Sequence, residues 1–345
     1  MDVARDGRVG RVMRGGETMS GASGTDSRVT RRQLLIRSLV GMAALTAAGA
    51  LARPPSPKPS RAERAGTLEI GGDLTVNRLG FGAMRIAGGE HVWGEPKDSA
   101  EARRVLRRAI ELGVNFIDTA DAYGPEINER LICEALHPYP RGLVIATKGG
   151  IVRPSAPEWV PNGRPEHLRE ACEGSLRRLK LDRLDLYQLH CVDDQVPLEE
   201  SIGALADLQR VGKIRHIGVS NFGFEEVVRA RRVARIVSVQ NRYNFAQRKS
   251  ADVLNLCARE GLAFIPWAPI AHGSSQTLDP GTGSKDLVAL AAAHGASVVQ
   301  IALAWLLAKS PAMLPIPGTS SVSHLEENVA AARIRLSEAE LERLG

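Results

Sequence analysis

The amino-acid sequence predicts an α/β chain that folds as a (β/α)8, or TIM, barrel. After residue 66, short apolar runs alternate with longer amphipathic runs, eight times over about 280 residues. In addition, ionisable side chains stand at or just past the C-terminal ends of several apolar runs. In this fold the C-terminal strand ends together form the active-site face. The two patterns therefore predict both the barrel and the place of its functional site.

The short apolar runs have the length and the flanking residues of buried strands. An open doubly wound sheet would show a similar alternation, but its phosphate-binding fingerprint, Gly-x-Gly-x-x-Gly after a strand, is missing. The nearest match, Gly80-Phe81-Gly82, lacks the third glycine, so the barrel is favoured. The predicted strands cover residues 78–82, 115–118, 143–148, 184–190, 216–221, 236–240, 263–267 and 313–316.

The longer runs carry apolar residues at three- and four-residue spacing, which predicts amphipathic helices. Gly113, Gly212 and Gly261 follow three of these runs, as is usual at helix C-termini. Before the first barrel strand, residues 67–76 predict a β-hairpin with Gly71-Gly72 at its turn, which we expect to close the barrel bottom. The predicted helices cover residues 100–112, 165–179, 198–211, 225–235, 253–260, 285–294 and 297–308.

The formal net charge of the chain is +6, but the excess positive charge lies at its front. Residues 1–64 contain 12 Lys and Arg against 5 Asp and Glu, whereas residues 65–345 contain 33 against 34. The predicted barrel therefore lacks the basic balance typical of nucleic-acid-binding domains, and no such partner is expected. The four cysteines show neither Cys-x-x-Cys nor metal-ligand spacing, so no metal site is expected.

The front of the chain has the features of an export signal. The run Thr30-Arg31-Arg32-Gln33-Leu34-Leu35 resembles a twin-arginine motif, and the following residues 38–52 are uncharged and apolar. This run is shorter than the roughly 20 residues of a membrane span, and Ala50-Leu51-Ala52 fits a cleavage site. We therefore expect a signal peptide at 1–52, a linker at 53–65 and the barrel at 66–345.

Such a protein would engage the twin-arginine export machinery and reach the periplasm or the outside of the cell. That route exports folded proteins, so a barrel could acquire a cofactor before export. The alternatives are a basic tail that is not read as a signal, or translation that begins later, at Met19, and either would leave the protein in the cytoplasm.

Four ionisable residues follow the predicted strands: Asp118, Tyr123, Lys148 and His190. Together they suit proton delivery to a carbonyl oxygen while a hydride reaches the carbonyl carbon. Tyrosine is a weak acid with a pKa of about 10, and we expect the Lys148 ammonium, held by Asp118, to lower the pKa of Tyr123. His190 would hydrogen-bond the substrate oxygen and orient it.

Each of these residues also has an explanation without catalysis. Asp118 can cap the turn that follows its strand, and Tyr123 and Lys148 both precede glycine-containing loops. A histidine after an apolar strand is commonly a core residue whose hydrogen bonds are satisfied. Only their repeated occurrence after successive strands favours a shared site.

Several runs resemble the aldo-keto reductase family and occur in that family's order. The resemblance extends over residues 66–345 and implies a (β/α)8 barrel that binds NADPH or NADH in extended form. It also implies that Tyr123 is the proton donor, that Lys148 and Asp118 tune it, and that His190 orients the carbonyl. The runs are GVNFIDTADAYG (113–124), DLYQLH (185–190), GVSNF (218–222), VQNRYN (239–244) and IPGTSSVSHLEENV (316–329).

The same resemblance implies a set of cofactor-binding residues. Ser220, Asn221 and Gln240 would hydrogen-bond the nicotinamide carboxamide, which has both donors and acceptors. Trp267 takes the place of an aromatic residue, usually tyrosine, that stacks on the nicotinamide. Residues 317–320 open a helix that begins near Ser323, where free N–H groups favour phosphates. The full set is Gly82, Met84, Asp118, Ser220, Asn221, Gln240, Trp267, Ala268, Pro269, Pro317, Gly318, Thr319, Ser320, His324, and, near the adenine, Glu327 and Asn328.

Two positions depart from the family's pattern. Many members have Lys and Arg where this chain has Gly318 and His324, and those cations hold the 2′-phosphate of NADPH. A guanidinium grips phosphate through two hydrogen bonds, and imidazole does not. We expect NADPH as the cofactor, with NADH as the less favoured alternative, and a weaker discrimination between them than in members with both cations.

The resemblance implies an enzyme that reversibly reduces aldehydes or ketones to alcohols. The runs VNRLGFGAM (76–84) and ALAWLLAKSPAMLPIPGTSSVSHLEEN (302–328) are similar to pyridoxal reductase-like members, so pyridoxal is one expected substrate. The candidate substrate loop, residues 149–163, contains Trp159. A non-catalytic, nicotinamide-binding regulatory subunit is the alternative, and the complete tetrad favours the enzyme. A serine hydrolase is disfavoured because the run 218–222 lacks the second glycine of a nucleophile elbow.

Overall fold

The computed structural model describes residues 61–270 and 284–345. The expected signal peptide and residues 53–60 of the expected linker lie outside the described residues. The described strands are β1 (Thr67–Ile70), β2 (Leu74–Asn77), β3 (Phe81–Gly82), β4 (Phe116–Asp118), β5 (Val144–Gly149), β6 (Ile151–Val152), β7 (Val160–Pro161), β8 (Leu184–Leu189), β9 (Ile214–Ser220), β10 (Ile236–Arg242) and β11 (Ala263–Trp267). The described α-helices are α1 (Ser99–Glu111), α2 (Ile127–Leu136), α3 (Pro165–Leu179), α4 (Leu198–Arg210), α5 (Phe224–Val233), α6 (Ala251–Glu260), α7 (Ser284–Ala293), α8 (Val298–Lys309), α9 (Val322–Ala330) and α10 (Glu338–Leu344).

Seven parallel strands of the described chain form a nearly closed barrel in the order β11-β10-β9-β8-β5-β4-β3. Residues 313–316, predicted as the eighth strand, make only one strand-like bridge in the described chain, between Met313 and Phe264. They still join both edges of the sheet, because Leu314 N donates to Phe264 O and Gly80 N donates to Pro315 O, each at 2.9 Å. Proline has no N–H to continue a strand ladder, which explains why the eighth strand is irregular. The predicted (β/α)8 architecture is confirmed.

The β1–β2 hairpin covers the N-terminal end of the barrel. Ile70 pairs with Leu74 across the turn, and both are buried with the apolar side chains that fill the lower barrel, such as Phe116. At the turn, Asp73 accepts hydrogen bonds from Arg215 at 2.7 Å and from His216 at 2.6 Å, at the start of β9. The expectation that the hairpin closes the barrel bottom is confirmed.

Helix α2 was not predicted, although it packs between α1 and α3 on the outside of the barrel. Its buried face includes Asn128 and Glu129 beside Leu131 and Ile132, and these polar residues interrupt the apolar spacing. Glu129 is stabilised in the interior because it accepts hydrogen bonds from Arg178 and Thr147, both at 2.6 Å. A buried charge is tolerated when it is paired in this way.

A short helix precedes the β1–β2 hairpin. Residues Ala62–Ala65, assigned to the linker, form a short 3-10 helix in which Ala62 is buried and its N–H donates to Leu112 O at 2.9 Å.

Within residues 61–270 and 284–345, no single helix is long and apolar enough to cross a membrane. One pair, Lys285–Ala293 with Val298–Lys309, has the required length and apolar composition when taken together, but the two helices are bent by 98° relative to each other.

The side chain of Arg78, which precedes β3, binds the backbone just before and within the irregular eighth strand. Its Nε donates to Met313 O at 3.3 Å, and its Nη2 donates to Leu307 O at 2.8 Å and Ser310 O at 2.5 Å. Leu307 lies in the last turn of α8, where backbone carbonyls lack helical partners. A guanidinium that satisfies several such carbonyls stabilises the closure of the barrel.

We therefore predict that Arg78→Met lowers the free energy of unfolding by about 2 kcal/mol, because hydrogen bonds from a charged donor are lost from a half-buried place. Urea denaturation of the full chain measures this. Arg210→Met is the matched control, since the Arg210 side chain is 73% exposed and should leave the unfolding free energy nearly unchanged. Equal midpoints for the two variants would contradict the role given to Arg78.

Candidate active site

The structure brings together the four ionisable residues that the strand ends predict. Asp118 is the last residue of β4, Lys148 lies near the end of β5, and His190 directly follows β8. Tyr123 lies in the loop between β4 and α2. All four side chains are buried, Lys148 completely. Parallel strands that end at one rim place these residues around one point, as the barrel prediction requires.

The Lys148 ammonium lies between the carboxylate and the phenol. Its Nζ donates to Asp118 Oδ2 at 2.7 Å, to Thr119 O at 2.8 Å, and to Tyr123 OH at 3.4 Å. The rings of Tyr123 and His190 meet edge to face with centroids 5.9 Å apart. One cation is therefore shared by a close carboxylate and a more distant phenol, and the phenol faces the imidazole.

Two glutamines hold the other oxygen of Asp118. Its Oδ1 accepts from Gln240 Nε2 at 2.7 Å and from Gln188 Nε2 at 3.2 Å. Gln188 was not predicted as a site residue, although a polar residue within the apolar run DLYQLH was a usable signal. Gln240 was expected at the nicotinamide carboxamide; in this structure its amide nitrogen supports Asp118, because a buried carboxylate requires donors.

The expected lowering of the Tyr123 pKa is wrong in its net direction. Burial raises the pKa of Tyr123 and outweighs the lowering by Lys148, so the phenol is a weaker acid than free tyrosine. For Lys148, burial lowers the pKa, but Asp118 and Tyr123 together raise it above its usual value, which keeps the ammonium charged. The phenol is thus protonated at neutral pH and stands beside a permanent cation.

His190 is a neutral imidazole in this setting. Burial, together with the charges of Lys148 and Arg153, holds the pKa of His190 well below its usual value. Its Nδ1 is buried without a hydrogen-bond partner in the described part of the chain. A neutral imidazole beside the Tyr123 phenol can donate one hydrogen bond to a carbonyl oxygen.

A cavity of about 420 Å³ opens above these residues. Asp118, Tyr123 and His190 line it, together with many of the predicted cofactor-binding residues. Side chains that sequence reasoning did not assign to a site, among them Arg85, His91 and Ile316, line it as well. The predicted cofactor residues on its wall are Gly82, Met84, Asp118, Ser220, Asn221, Gln240, Trp267, Ala268, Pro269 and Gly318.

Trp267 and Asn221 are joined at the cavity wall. The indole Nε1 of Trp267 donates to Asn221 Oδ1 at 2.9 Å, and Asn221 Nδ2 donates to His190 O at 3.0 Å and Ser220 Oγ at 3.1 Å. Asn221 has a left-handed backbone with φ of 61°, which asparagine tolerates better than most residues. The stacking ring and the amide predicted for the nicotinamide thus have fixed positions relative to His190.

Gly82 and Gly318 are glycines because two backbone segments touch there. A Cβ on Gly82 would lie 2.6 Å from Ile316 O, and a Cβ on Gly318 would lie 2.5 Å from Gly82 O. Neither separation is possible for a real side chain. The approach of the eighth segment to β3 therefore favours glycine at position 318, and a lysine in this chain would require the backbone to move.

The remaining predicted cofactor residues lie outside the cavity, around the start of α9. Ser321 precedes the helix, which begins at Val322, next to the expected Ser323, and His324 is exposed in its first turn. Val322 N donates to Glu101 Oε1 at 3.2 Å, so a carboxylate from α1 already lies at this helix start. The residues concerned are Pro317, Thr319, Ser320, His324, Glu327 and Asn328.

The described residues contain no group of three or more His, Cys, Asp or Glu side chains arranged to hold a metal ion. The four cysteines are free; Cys133, Cys172 and Cys257 are buried and Cys191 is half-buried. The side chains that line the cavity include the Asp118 carboxylate, the Tyr123 phenol, the His190 imidazole, amides and indoles.

Comparison with known proteins identifies the family of the chain. Residues 78–345 match the model of the aldo/keto reductase family. An uncharacterised oxidoreductase of Schizosaccharomyces pombe is 49% identical over 280 residues, covering 80% of this chain and 88% of its own. The pyridoxine 4-dehydrogenase of Escherichia coli is 45% identical over 279 residues, covering 79% and 95%.

A solved structure has the same fold. The aldo-keto reductase of Klebsiella pneumoniae in complex with NADPH superposes with a TM-score of 0.69 at 30% identity, covering 81% of this chain and 93% of that one. The family model, the two relatives and this superposition span the whole barrel. The chain belongs to the aldo/keto reductase family.

Proposed function

We propose that this protein reduces aldehydes or ketones to alcohols with NADPH, and that Tyr123 delivers the proton. The observation that supports this most directly is that Tyr123, Asp118 and His190 line one cavity, while the buried Lys148 hydrogen-bonds both Asp118 and Tyr123. The oxidoreductase relatives and the family assignment agree with this reaction class.

The roles of the four residues follow from their contacts. The His190 imidazole donates a hydrogen bond to the carbonyl oxygen and orients it toward the Tyr123 hydroxyl. Tyr123 transfers its proton to that oxygen as negative charge develops there. The Lys148 ammonium, 3.4 Å from the phenol oxygen, stabilises the phenolate that remains. Asp118 keeps Lys148 in place and compensates its charge in the buried site.

The residues present suit the expected cofactor. When bound, NADPH would supply the hydride that reaches the carbonyl carbon. Ser220, Asn221 and Gln240 offer hydroxyl and amide groups that match a carboxamide, and Trp267 offers a flat ring at the cavity wall. Gly82 and Met84 line the same cavity. The Klebsiella pneumoniae relative, solved with NADPH, supports the choice of this cofactor.

Pyridoxal is the substrate that we propose first. The relative named pyridoxine 4-dehydrogenase is 45% identical and covered over 95% of its length. Pyridoxal carries its aldehyde on a flat, polar ring, and the cavity provides aromatic walls at Trp159 and Trp267. Reduction of its aldehyde is the reverse of the reaction for which that relative is named.

We predict that Tyr123→Phe lowers kcat for pyridoxal and 4-nitrobenzaldehyde by about 10²- to 10⁴-fold, because only the phenolic hydroxyl donates the proton. The ring remains, so the Kd for NADPH, measured by fluorescence quenching, should change by less than about twofold. The loss of nicotinamide absorbance measures kcat. Tyr243→Phe, which removes a hydroxyl from a buried tyrosine outside the cavity, is the matched control. A Tyr123→Phe enzyme that retains more than half of kcat would remove Tyr123 from the mechanism.

Cofactor selection is the second test of the proposed function. His324 is exposed near the start of α9, and Gly318 cannot be replaced by a cation without displacing backbone. We predict that His324→Arg raises the ratio of NADPH to NADH affinity by about tenfold, because guanidinium binds phosphate with paired hydrogen bonds. His324→Ala should lower the ratio, and neither change should alter NADH affinity. Fluorescence titration with both cofactors measures this, and an unchanged ratio in both variants would place the 2′-phosphate elsewhere.

We also propose that residues 1–52 direct the protein to the twin-arginine export route, with residues from 53 onward joining them to the barrel. The proposal rests on the Arg31-Arg32 pair and the uncharged run that follows it. Retention in the cytoplasm is the alternative.

The corresponding prediction is that Arg31→Lys combined with Arg32→Lys leaves active, full-length enzyme in the cytoplasm, since the motif requires the guanidinium pair. Fractionation of cells that express a C-terminally tagged chain measures the distribution. Arg28→Lys, a nearby change outside the pair, serves as the control. The same exported fraction in the double variant and the wild type would show that the pair is not read as a signal.

A further inference from the structure

Arg153, in the loop between β6 and β7, uses its whole guanidinium to bind backbone carbonyls. Its side chain is buried at the edge of the cavity, and a guanidinium has five N–H donors. Nε makes one hydrogen bond, and Nη1 and Nη2 make two each, at donor–acceptor distances of 2.5–3.4 Å. No donor is left for a phosphate or a carboxylate of a ligand. The acceptors are the carbonyl oxygens of His91, Val92, Ala122, Ala156 and Glu158.

These carbonyls belong to three loops that meet at the cavity. Ala122 directly precedes Tyr123, and Ala156 and Glu158 lie in the same β6–β7 loop as Arg153 itself. The third loop contains His91 and Val92, which both line the cavity. One side chain therefore fixes the relative positions of three separate segments around the carbonyl site.

The loop at His91 and Val92 requires such a fixing point. Both residues have left-handed backbones, with φ of 62° and 56°, a region that β-branched residues such as valine rarely adopt. Strained backbone of this kind persists only where its surroundings determine it. Arg153 donates to both carbonyls, and Gly124 N donates to Val92 O at 3.2 Å.

Arg153 also covers one aromatic side chain of the cavity. Its guanidinium carbon lies 3.7 Å from the centroid of the Trp159 ring, a close cation–π contact. Trp159 lines the cavity, and its ring centroid is 6.2 Å from that of Tyr123 and 6.4 Å from that of His190. The indole is thus an apolar wall beside the place where the carbonyl must lie.

We infer that Arg153 is a positioning residue that holds Trp159 as a wall of the carbonyl site, and that this wall sets the preference for carbonyl groups attached to a flat ring. The inference rests on the carbonyl reduction proposed above. A flat ring gains from packing against a fixed indole, whereas a small carbonyl compound without a ring does not reach it. Loss of the wall should therefore change selectivity rather than the chemical step.

The experiment compares kcat/KM for 4-nitrobenzaldehyde and for methylglyoxal, with NADPH and the full chain. Trp159→Leu should lower the ratio of the two values about tenfold, mainly through KM for the ring compound. Arg153→Met should lower the ratio by a similar factor. Arg153→Lys should do the same, because an ammonium keeps the charge but has only three donors. The double variant Arg153→Met/Trp159→Leu should lower the ratio no further than either single variant, since one wall is lost only once.

Trp93→Leu is the matched control for the indole. Trp93 is 37% exposed against 36% for Trp159 and lies 5.4 Å from the Arg153 guanidinium, but it does not line the cavity. In Trp93→Leu, the ratio of kcat/KM for 4-nitrobenzaldehyde to that for methylglyoxal should stay within about twofold of the wild-type ratio. An unchanged ratio in Arg153→Lys, equal losses for both substrates, or additive losses in the double variant would each overturn the inference. If Arg153→Met does not fold, the kcat/KM ratios of Arg153→Lys and Trp159→Leu still test the inference.

Binding without turnover separates this inference from the proposed function. Calorimetry with 4-nitrobenzyl alcohol and the NADPH-loaded protein measures the affinity of the ring directly. A roughly tenfold weaker Kd in Trp159→Leu and Arg153→Lys supports the inference even where no reduction is observed. Reduction by the wild type with unchanged Kd in both variants overturns the inference and leaves the proposed function intact. A wild type that reduces methylglyoxal but neither binds nor reduces the ring compounds overturns only the inference, whereas a wild type that reduces none of the carbonyl compounds, pyridoxal included, overturns the proposed function.

Discussion

The buried pairing of Lys148 with Asp118 is the interaction on which the rest of the site depends. Lys148 is completely inaccessible to solvent, and an isolated ammonium in such a place would cost several kcal/mol. The contact of 2.7 Å with Asp118 and the bond to Thr119 O compensate this cost. Because the ammonium cannot leave, the phenol of Tyr123 always faces a positive charge. Burial strengthens the attraction between this ammonium and a phenolate, but burial also raises the pKa of the phenol.

The barrel makes this pairing possible by separating polar from apolar layers. Lys148 pairs in register with Gln188 of β8, and Asp118 pairs with Ala146 of β5, two residues before Lys148, so the polar groups gather near the C-terminal ends of three neighbouring strands. Below them the interior is filled by apolar side chains and sealed by the β1–β2 hairpin. These layers shield the lower side of the ion pair from water, and the cavity on the opposite side is lined by Asp118, Tyr123 and His190.

The features that could be predicted from the sequence are those that follow from a repeated pattern or from the position of a residue at a strand end. The alternation of apolar runs predicted the barrel, and the residues after the strands predicted the tetrad, because strand ends in a parallel barrel converge by geometry. The sequence did not predict α2, whose apolar spacing is broken by the buried Glu129, or the irregular eighth strand, where Pro315 removes an N–H. Gln188 and Arg153 were missed for a common reason: their partners are distant in sequence, and no local pattern indicates which carboxylate or carbonyl a buried side chain will meet.

Two positive charges, on Lys148 and Arg153, act on His190 and on the place where the substrate carbonyl must lie. Asp118 compensates Lys148, but Arg153 forms no ion pair with a carboxylate in the described structure, since carbonyl oxygens accept all of its hydrogen bonds. Its positive charge therefore acts on the cavity and, with burial and Lys148, lowers the pKa of His190. A neutral imidazole still has one N–H group, so it can donate a hydrogen bond to a carbonyl oxygen. Negative charge that develops on that oxygen then meets fixed dipoles and cations that need no rearrangement, which is the condition under which electrostatic stabilisation is most effective.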